Sequence, residues 1–363
     1  MCFLFLYGKE VHMEQLKIEK MRQFYDLFPY PNRPFFLSPK IEAHFTSHGG
    51  FSHLIALNRR PFAQKIWQLS SRCLKENKGI NKKDLYMIQG ELEAVFPSSK
   101  RILLVGCGTD EPLLYRKLHP NNEIVAVDLS RKVLKKAKKK LSYQRFKNFF
   151  THQDRFRKIS FLLGNAEVIL HEKALGGFDF IQCFGVLHHQ PAPYFLLRAM
   201  EERLNPGGVL RIMVYSYHGR KLERRIQTRY KKLWDSFFEK NFKFKIFQNY
   251  IQLRVWQLLN YLGFRPATED RFRYLGPGST SVADALMHPS DPGISLNYFH
   301  ESALQLGLEM IYCEGKIENI GYETGFENPQ EVWNKVVDAD TRKELLTNPI
   351  LIYRKVHKFE ARQ

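Results

Sequence analysis

Two arrangements in this chain could do chemistry: a glycine-bounded turn followed at a distance by a carboxylate, and a pair of adjacent histidines. Gly106-Cys107-Gly108-Thr109 comes directly after the apolar run Ile102-Leu103-Leu104-Val105. Glycines at such a point let the backbone approach a bound cofactor where a side chain would block it. Asp128 ends a second apolar run, Ile124-Val125-Ala126-Val127, 22 residues after Gly106. An acid about 20 residues beyond the turn is placed to accept hydrogen bonds from both hydroxyls of a ribose. His188 and His189 are the only adjacent histidines, and imidazole titrates near working pH, as a general base requires.

The turn discriminates among cofactors. A dinucleotide-binding loop wants a third glycine at position 111, where Glu111 stands, and Asp110-Glu111 would repel a pyrophosphate at the mouth of the loop. The chain has no GKS or GKT phosphate loop. A cofactor without phosphates, carrying a sulfonium and an amino acid tail, suits the acidic turn better. The competing reading is a structural strand-to-helix turn with Asp128 as a helix cap, a duty that Ser130 could take instead.

These residues need strands and helices to hold them. The runs at 102–105 and 124–127 read as buried parallel strands, with a helix over about 112–118 between them. Further strands are expected at 160–163, 178–183, 209–214, 308–313 and 350–353, with helices after Asp128 and at 301–307. Leu204-Asn205-Pro206-Gly207-Gly208 reads as a helix end and turn, and residues 276–300 as loop. Alternating elements predict an α/β fold, a Rossmann-like, doubly wound, mostly parallel sheet. An N-terminal helical lid and a helical insertion before the last strands complete it. The expected divisions are 13–97 for the lid region, 98–218 for the cofactor-binding core, 219–275 for a basic helical insertion and 276–363 for the part completing the sheet. Residues 1–12 read as an upstream extension, Met13 being an alternative start.

Five stretches resemble, in order, the motifs of class I S-adenosylmethionine-dependent methyltransferases. They are Ile102–Thr109, Val125–Ser130, Gly164–Glu167, Phe178–His189 and Leu204–Gly208. The resemblance implies S-adenosylmethionine as cofactor. It implies contacts from Gly106, Cys107, Gly108 and Thr109, from Asp128 and Leu129 at the ribose, from Asn165 and Ala166 at the adenine, and from Cys183 at the end of the fourth strand. The chain departs from many members at Leu104, where an acid is usual, and at Asp110, where a glycine is usual. Phe28-Pro29-Tyr30-Pro31, Val214-Tyr215-Ser216 with Arg220, and Asp284–Pro289 are similar to a bacterial subgroup often fused to tetratricopeptide repeats; no such repeat is present here. Tyr25, Phe28 and Tyr30 are lid candidates, Tyr25 and Tyr30 being placed over the cofactor. His188, His189 and Tyr215 are the candidate catalytic residues, with Arg220 and His288 on the acceptor side. Methyl transfer is an in-line displacement on a carbon activated by the sulfonium, so positioning and desolvation can suffice without a base.

The expected activity is methyl transfer to a small molecule or a protein side chain. A [DN]PP[YF]-type tetrapeptide is missing at the fourth strand, where Cys183-Phe184-Gly185-Val186 stands, and there is no Pro-Cys pair. Methylation of exocyclic base amines and of cytosine C5 is thereby disfavoured. An RNA-directed methyltransferase, a non-catalytic module keeping the fold and an oxidoreductase are the alternatives. Of 363 residues 44% are hydrophobic and 26% charged, with a formal charge of +19. Ten basic residues lie between Arg220 and Lys245, interleaved with aromatics, so RNA or an anionic surface is a candidate partner there. No run approaches the roughly 20 apolar residues that span a bilayer, and the short apolar start lacks the features of a signal peptide. The five cysteines, Cys2, Cys73, Cys107, Cys183 and Cys313, form no CxxC pair or metal-ligand spacing. No metal is expected, and scattered thiols fit a cytoplasmic location.

Overall fold

The computed structural model describes residues 2–31, 68–69, 72–73, 75–76, 80–150, 157–219, 224, 227–228, 284, 288–325, 327–346 and 348–356. In chain order the elements begin with α1 (Cys2–Leu27), α2 (Lys82–Val95), β1 (Arg101–Val105), α3 (Glu111–Leu118) and β2 (Glu123–Asp128). There follow α4 (Arg131–Phe150), β3 (Ser160–Leu163), α5 (Ala166–Leu170), β4 (Phe178–Phe184), α6 (Pro193–Arg203) and β5 (Leu204–Met213). The last are α7 (Leu296–Gln305), β6 (Leu308–Ile317), β7 (Gly321–Gly325), α8 (Pro329–Arg342) and β8 (Ile350–Lys355).

The strands form one eight-stranded sheet in the order β3-β2-β1-β4-β5-β8-β6-β7. β1 is parallel to both β2 and β4, with Val105 opposite Val127 and Cys183. β8 enters antiparallel between β5 and β6. Side chains alternate between the two faces, as the period of a strand requires. Leu103, Val105, Val125, Ile181 and Leu210 pack with Leu196 and Met200 of α6, Phe299 of α7 and Trp333 and Val336 of α8. Ile102, Leu104, Ile124, Phe180 and Ile352 face the other way, against Ile88 and Leu92 of α2 and Tyr115 of α3. Both faces are therefore covered, which is why these strands read as near-continuous apolar runs.

The fold is the Rossmann-like α/β sheet that the alternation predicts, with some differences. Leu204–Gly208 is not a turn before a strand: Leu204 already pairs with Phe178, and the register shifts between Phe178 and Phe180 to absorb Pro206 and the two glycines. The helix expected at 301–307 starts earlier, at Leu296, inside a stretch read as loop. The strand β7 and helix α8 were not expected. Residues 2–12 continue the same helix as 13–27. Most of the basic stretch Arg220–Lys245, and the 219–275 insertion with it, lies outside the described residues; Arg224, which is described, lies over the Tyr217 ring at 4.8 Å. Among the described residues no helix is long and apolar enough to cross a membrane.

Candidate active site

The chain proceeds from β1 outward to β2 and β3, then returns to β4 on the other side of β1. At such a switch point the connections after neighbouring strands part and leave a crevice beyond their C-terminal ends. A cavity of about 490 Å³ opens there. Gly106 and Gly108 have φ of +63° and +57°, conformations that a side chain makes costly. A Cβ on Gly106 would lie 2.2 Å from Val186 Cγ2, and one on Gly108 3.1 Å from the Tyr30 carbonyl oxygen.

Asp128 is fixed by the backbone around it. Its Oδ2 accepts from Gly108 N at 3.1 Å and its Oδ1 from Ser130 N at 2.9 Å. The first turn of α4 has its own cap, since Ser130 Oγ accepts from Val133 N. Asp128 thus presents its carboxylate to the cavity. Burial raises its pKa to about 6 against the lowering effect of those backbone donors.

Asp110 does not confront the cavity as an unbalanced charge. It pairs with Lys140 of α4, and both side chains are only 3% exposed. Glu111 is the acid that burial leaves strained: its Oε2 is buried without a hydrogen-bond partner among the described residues, and its pKa rises to about 8, chiefly through desolvation. Asp110, Glu111, Asp128, Asp284 and Glu314 line the cavity, and no lysine or arginine does among the described residues; Lys140 balances Asp110 from behind, and burial keeps Glu111 protonated near neutral pH, so Asp128, Asp284 and Glu314 set the sign of the wall. Such a wall favours a cationic occupant and opposes a pyrophosphate.

Of the residues singled out from sequence, Gly106, Cys107, Gly108, Asp128, Leu129, Asn165, Ala166, Tyr25, Tyr30, His189 and Tyr215 line this cavity. Thr109, Cys183 and His188 stand behind the lining. Thr109 anchors the lid segment, its N donating to Tyr30 O at 3.2 Å and its hydroxyl to Pro31 O. The Cys183 thiol is fully buried, and burial pushes its pKa up. The Asn165 oxygen accepts from Glu167 N at 3.3 Å and so caps α5. Phe28 packs on Phe24 of α1, away from the lining. Gln182 from the middle of β4 and Glu314 of β6 also line the cavity and were not singled out from sequence, whereas Glu111 at the start of α3 was read there only as part of an acidic turn.

The histidine pair has one consistent proton arrangement. Ser290 O can only accept, so His189 Nδ1 carries a proton. Tyr215 N donates to His188 Nδ1 at 3.2 Å, so that nitrogen carries none. The remaining contact, 3.0 Å between the two Nε2 atoms, is then His188 donating to His189. Both rings are neutral and both lone pairs are engaged. Ligand atoms of His188, His189 and Asp291 lie within 4.8 Å of one another, the spacing of a metal cluster, but the two imidazoles spend that proximity on each other. His189 also stacks on His288, with ring centroids 3.7 Å apart.

Sheet order, glycine turn and the acid after β2 together define the class I S-adenosylmethionine-dependent methyltransferases. The chain belongs to the methyltransferase domain family, whose model matches residues 83–264, about half of its length. It is 35% identical over 130 residues to an uncharacterized protein of a Synechococcus strain, covering 35% of this chain and 28% of that one. It is 27% identical over 168 residues to the tRNA U34 carboxymethyltransferase of Nautilia profundicola, covering 46% of this chain and 51% of that one. The chain thus spans about half or less of the curated relatives it matches. Among solved structures, PKMT2 from Rickettsia typhi in complex with AdoHcy aligns with a TM-score of 0.45 and 17% identity, over 72% of this chain and 49% of that one. A methyltransferase-like protein from Bacillus halodurans aligns with a TM-score of 0.34 and 15% identity, over 76% and 99%.

Proposed function

We propose that the protein transfers the methyl group of S-adenosylmethionine in line to a nucleophile on a small molecule or a protein side chain. The observation that carries this reading is the acidic cavity at the switch point, with Asp128 held by Gly108 and Ser130 and without a lysine or arginine among its described lining residues. S-adenosylmethionine carries a sulfonium and an α-ammonium and no phosphate. The residues fit that group: Gly106 and Gly108 keep side chains out of the turn that lines the cavity, Asp128 is placed for the ribose hydroxyls, and Glu111, held protonated by burial beside Gln182, can ionise against an arriving α-ammonium. Glu111 would then supply the acid that Leu104 does not. When bound, the cofactor supplies an electrophilic methyl; the chain's own work is to orient the reactants and exclude water.

The Nautilia protein's name gives a carboxymethyl group and a tRNA. A transferred group bearing its own carboxylate would meet Asp284 and Glu314 in this cavity, which favours plain methyl here. An RNA acceptor is the second reading, supported by that relative and by the basic stretch Arg220–Lys245. Calorimetry with S-adenosylmethionine tests the main reading: saturable binding is expected, and no binding would overturn it. Binding of RNA that weakens steeply with salt is the expected signature of the second reading.

A further inference from the structure

We infer that Asp26 is a positioning residue for the cofactor: through Ser130 it holds the loop of Asp128 in the shape that grips the ribose, and it ties α1 to that grip. The inference rests on the methyltransferase reading above for the identity of the ligand. It concerns a residue of α1 that does not itself line the cavity.

Asp26 is the penultimate residue of α1, and its side chain reaches the start of α4. Its Oδ1 accepts from the Ser130 hydroxyl at 2.6 Å and from Lys132 N at 3.3 Å, across 104 and 106 residues of chain. Its Oδ2 accepts from Arg22 Nη1 at 3.3 Å, one turn earlier in α1. Lys132 N belongs to the first turn of α4, where backbone N–H groups lack partners inside the helix and favour an anion.

Ser130 is fully buried, and its polar groups all point to named partners. Its N donates to Asp128 Oδ1 at 2.9 Å, and its hydroxyl oxygen accepts from Val133 N at 3.2 Å. A hydroxyl has one proton, and that proton goes to Asp26. Two acids thus hold Ser130 from opposite sides, Asp26 by the hydroxyl and Asp128 by the amide. Without Asp26 the hydroxyl can turn away, and the loop that sets Asp128 Oδ1 loosens.

The other oxygen of Asp128 is tied to the same segment. Gly108 N holds Oδ2 at 3.1 Å, and the next residue, Thr109, donates its N to Tyr30 O at 3.2 Å. The chain from Asp26 to Tyr30 is therefore fastened to both loops that hold Asp128, while Met21, Tyr25 and Tyr30 form part of the cavity wall. Lifting α1 from the cavity breaks bonds that shape the ribose grip, so opening of this wall and loss of the cofactor are one event.

The test uses the full chain. Calorimetry with S-adenosylmethionine comes first, and no binding overturns the methyltransferase reading and this inference with it. Affinity for S-adenosylhomocysteine, and its release in a chase of labelled by unlabelled ligand, are then compared at about pH 8. There Asp128, with a pKa of about 6, is ionised whether or not the Asp26 charge stands near it. Asp26→Ala is expected to bind about tenfold more weakly or worse and to release the ligand faster. Asp26→Asn keeps an oxygen for Ser130 and Lys132 N, and should fall between Asp26→Ala and the parent. In an Asp128→Ala background no carboxylate remains for Ser130 to hold, and Asp26→Ala is expected to change affinity by less than about twofold. A residue that only stabilised the fold would act alike in both backgrounds. Should Asp26→Ala fail to fold, Asp26→Asn carries the same comparison, with a severalfold weakening expected. Unchanged affinity and release in the variants, or equal weakening in both backgrounds, overturns the inference.

Discussion

The two ends of the cavity are built on opposite plans. The end proposed for the cofactor comes, apart from residues 25–31 laid over it, from one continuous stretch, β1 to the turn after β4, and it is held by backbone atoms: Gly108 N and Ser130 N on Asp128, Cys107 N on Val127 O. The opposite end, proposed for the acceptor, is assembled from side chains far apart in sequence. Tyr25 meets Asp284 across 259 residues, and His189 meets Ser290 O across 101. A nucleoside is the same molecule in every such enzyme and can be met by a fixed local turn. An acceptor varies, and side chains on separate segments can change without disturbing the turn.

Four measurements can break or sharpen this contrast. The largest effect is expected at Lys140→Met, which strands a buried Asp110 beside the glycine turn. Removing one partner of a buried pair costs about 3–5 kcal/mol, so urea denaturation should show a loss of that order. A loss under about 1 kcal/mol would mean that the turn does not depend on α4. Next is Asp128→Ala. Two charge-assisted hydrogen bonds, about 1.5–3 kcal/mol each, disappear, and calorimetry should record at least a tenfold fall in S-adenosylmethionine affinity with the circular dichroism unchanged. Full affinity would shift the cofactor end to other residues.

The third measurement uses pH. The Asp128 pKa of about 6 lies above its ordinary value of 3.8 because of burial, so the carboxylate protonates as pH falls below about 6. Affinity for S-adenosylmethionine should then drop, approaching tenfold per pH unit, and Asp128→Asn should flatten the profile. The smallest effect is at Glu111→Gln. A folded pKa of about 8 against an ordinary 4.5 means that the native state binds the proton more tightly than the unfolded chain. Native stability from this group is complete below about pH 4.5 and is lost as pH rises through about 8. The variant should therefore match the parent in acid and melt higher than the parent above pH 8, while binding cofactor less well. A lower melting temperature at all pH values would show that Glu111 is a structural partner.

The same contrast decides what the sequence disclosed. β1, β2 and the turn between β1 and α3 were legible because apolar runs, glycines and an acid at a fixed interval lie side by side in the chain. Asp128, read from the sequence as the ribose ligand, lies in the cavity lining, and Ser130 takes the helix cap. Asp284 could be marked only through resemblance, since no local pattern tells which distant tyrosines it will meet. Helix α8 was overlooked although its signals are local: Asn328 caps Glu331 N at 3.1 Å, Pro329 opens the helix, and Val332, Trp333, Val336 and Ala339 make its buried stripe. The start of β5 was misread because Pro206-Gly207-Gly208 has turn composition, whereas pairing with β4 overrides that preference through a register shift. The hydrogen-bond partners of the histidine pair, Tyr215 N and Ser290 O, were not visible in the sequence.

The place of β8 in the sheet has a consequence for biosynthesis. It is the last described strand to leave the ribosome, yet it lies between β5 and β6 and is hydrogen-bonded to both. The five parallel strands and the glycine turn can assemble while synthesis continues. The β6–β7 hairpin cannot join that sheet until residues 350–355 arrive to bridge the gap. Until then β5 and β6 present unpaired backbone edges, the kind that template association with other chains. A nascent chain paused before Ile350 would carry a finished cofactor turn beside an open seam, and this is the interval in which a holding chaperone would matter most.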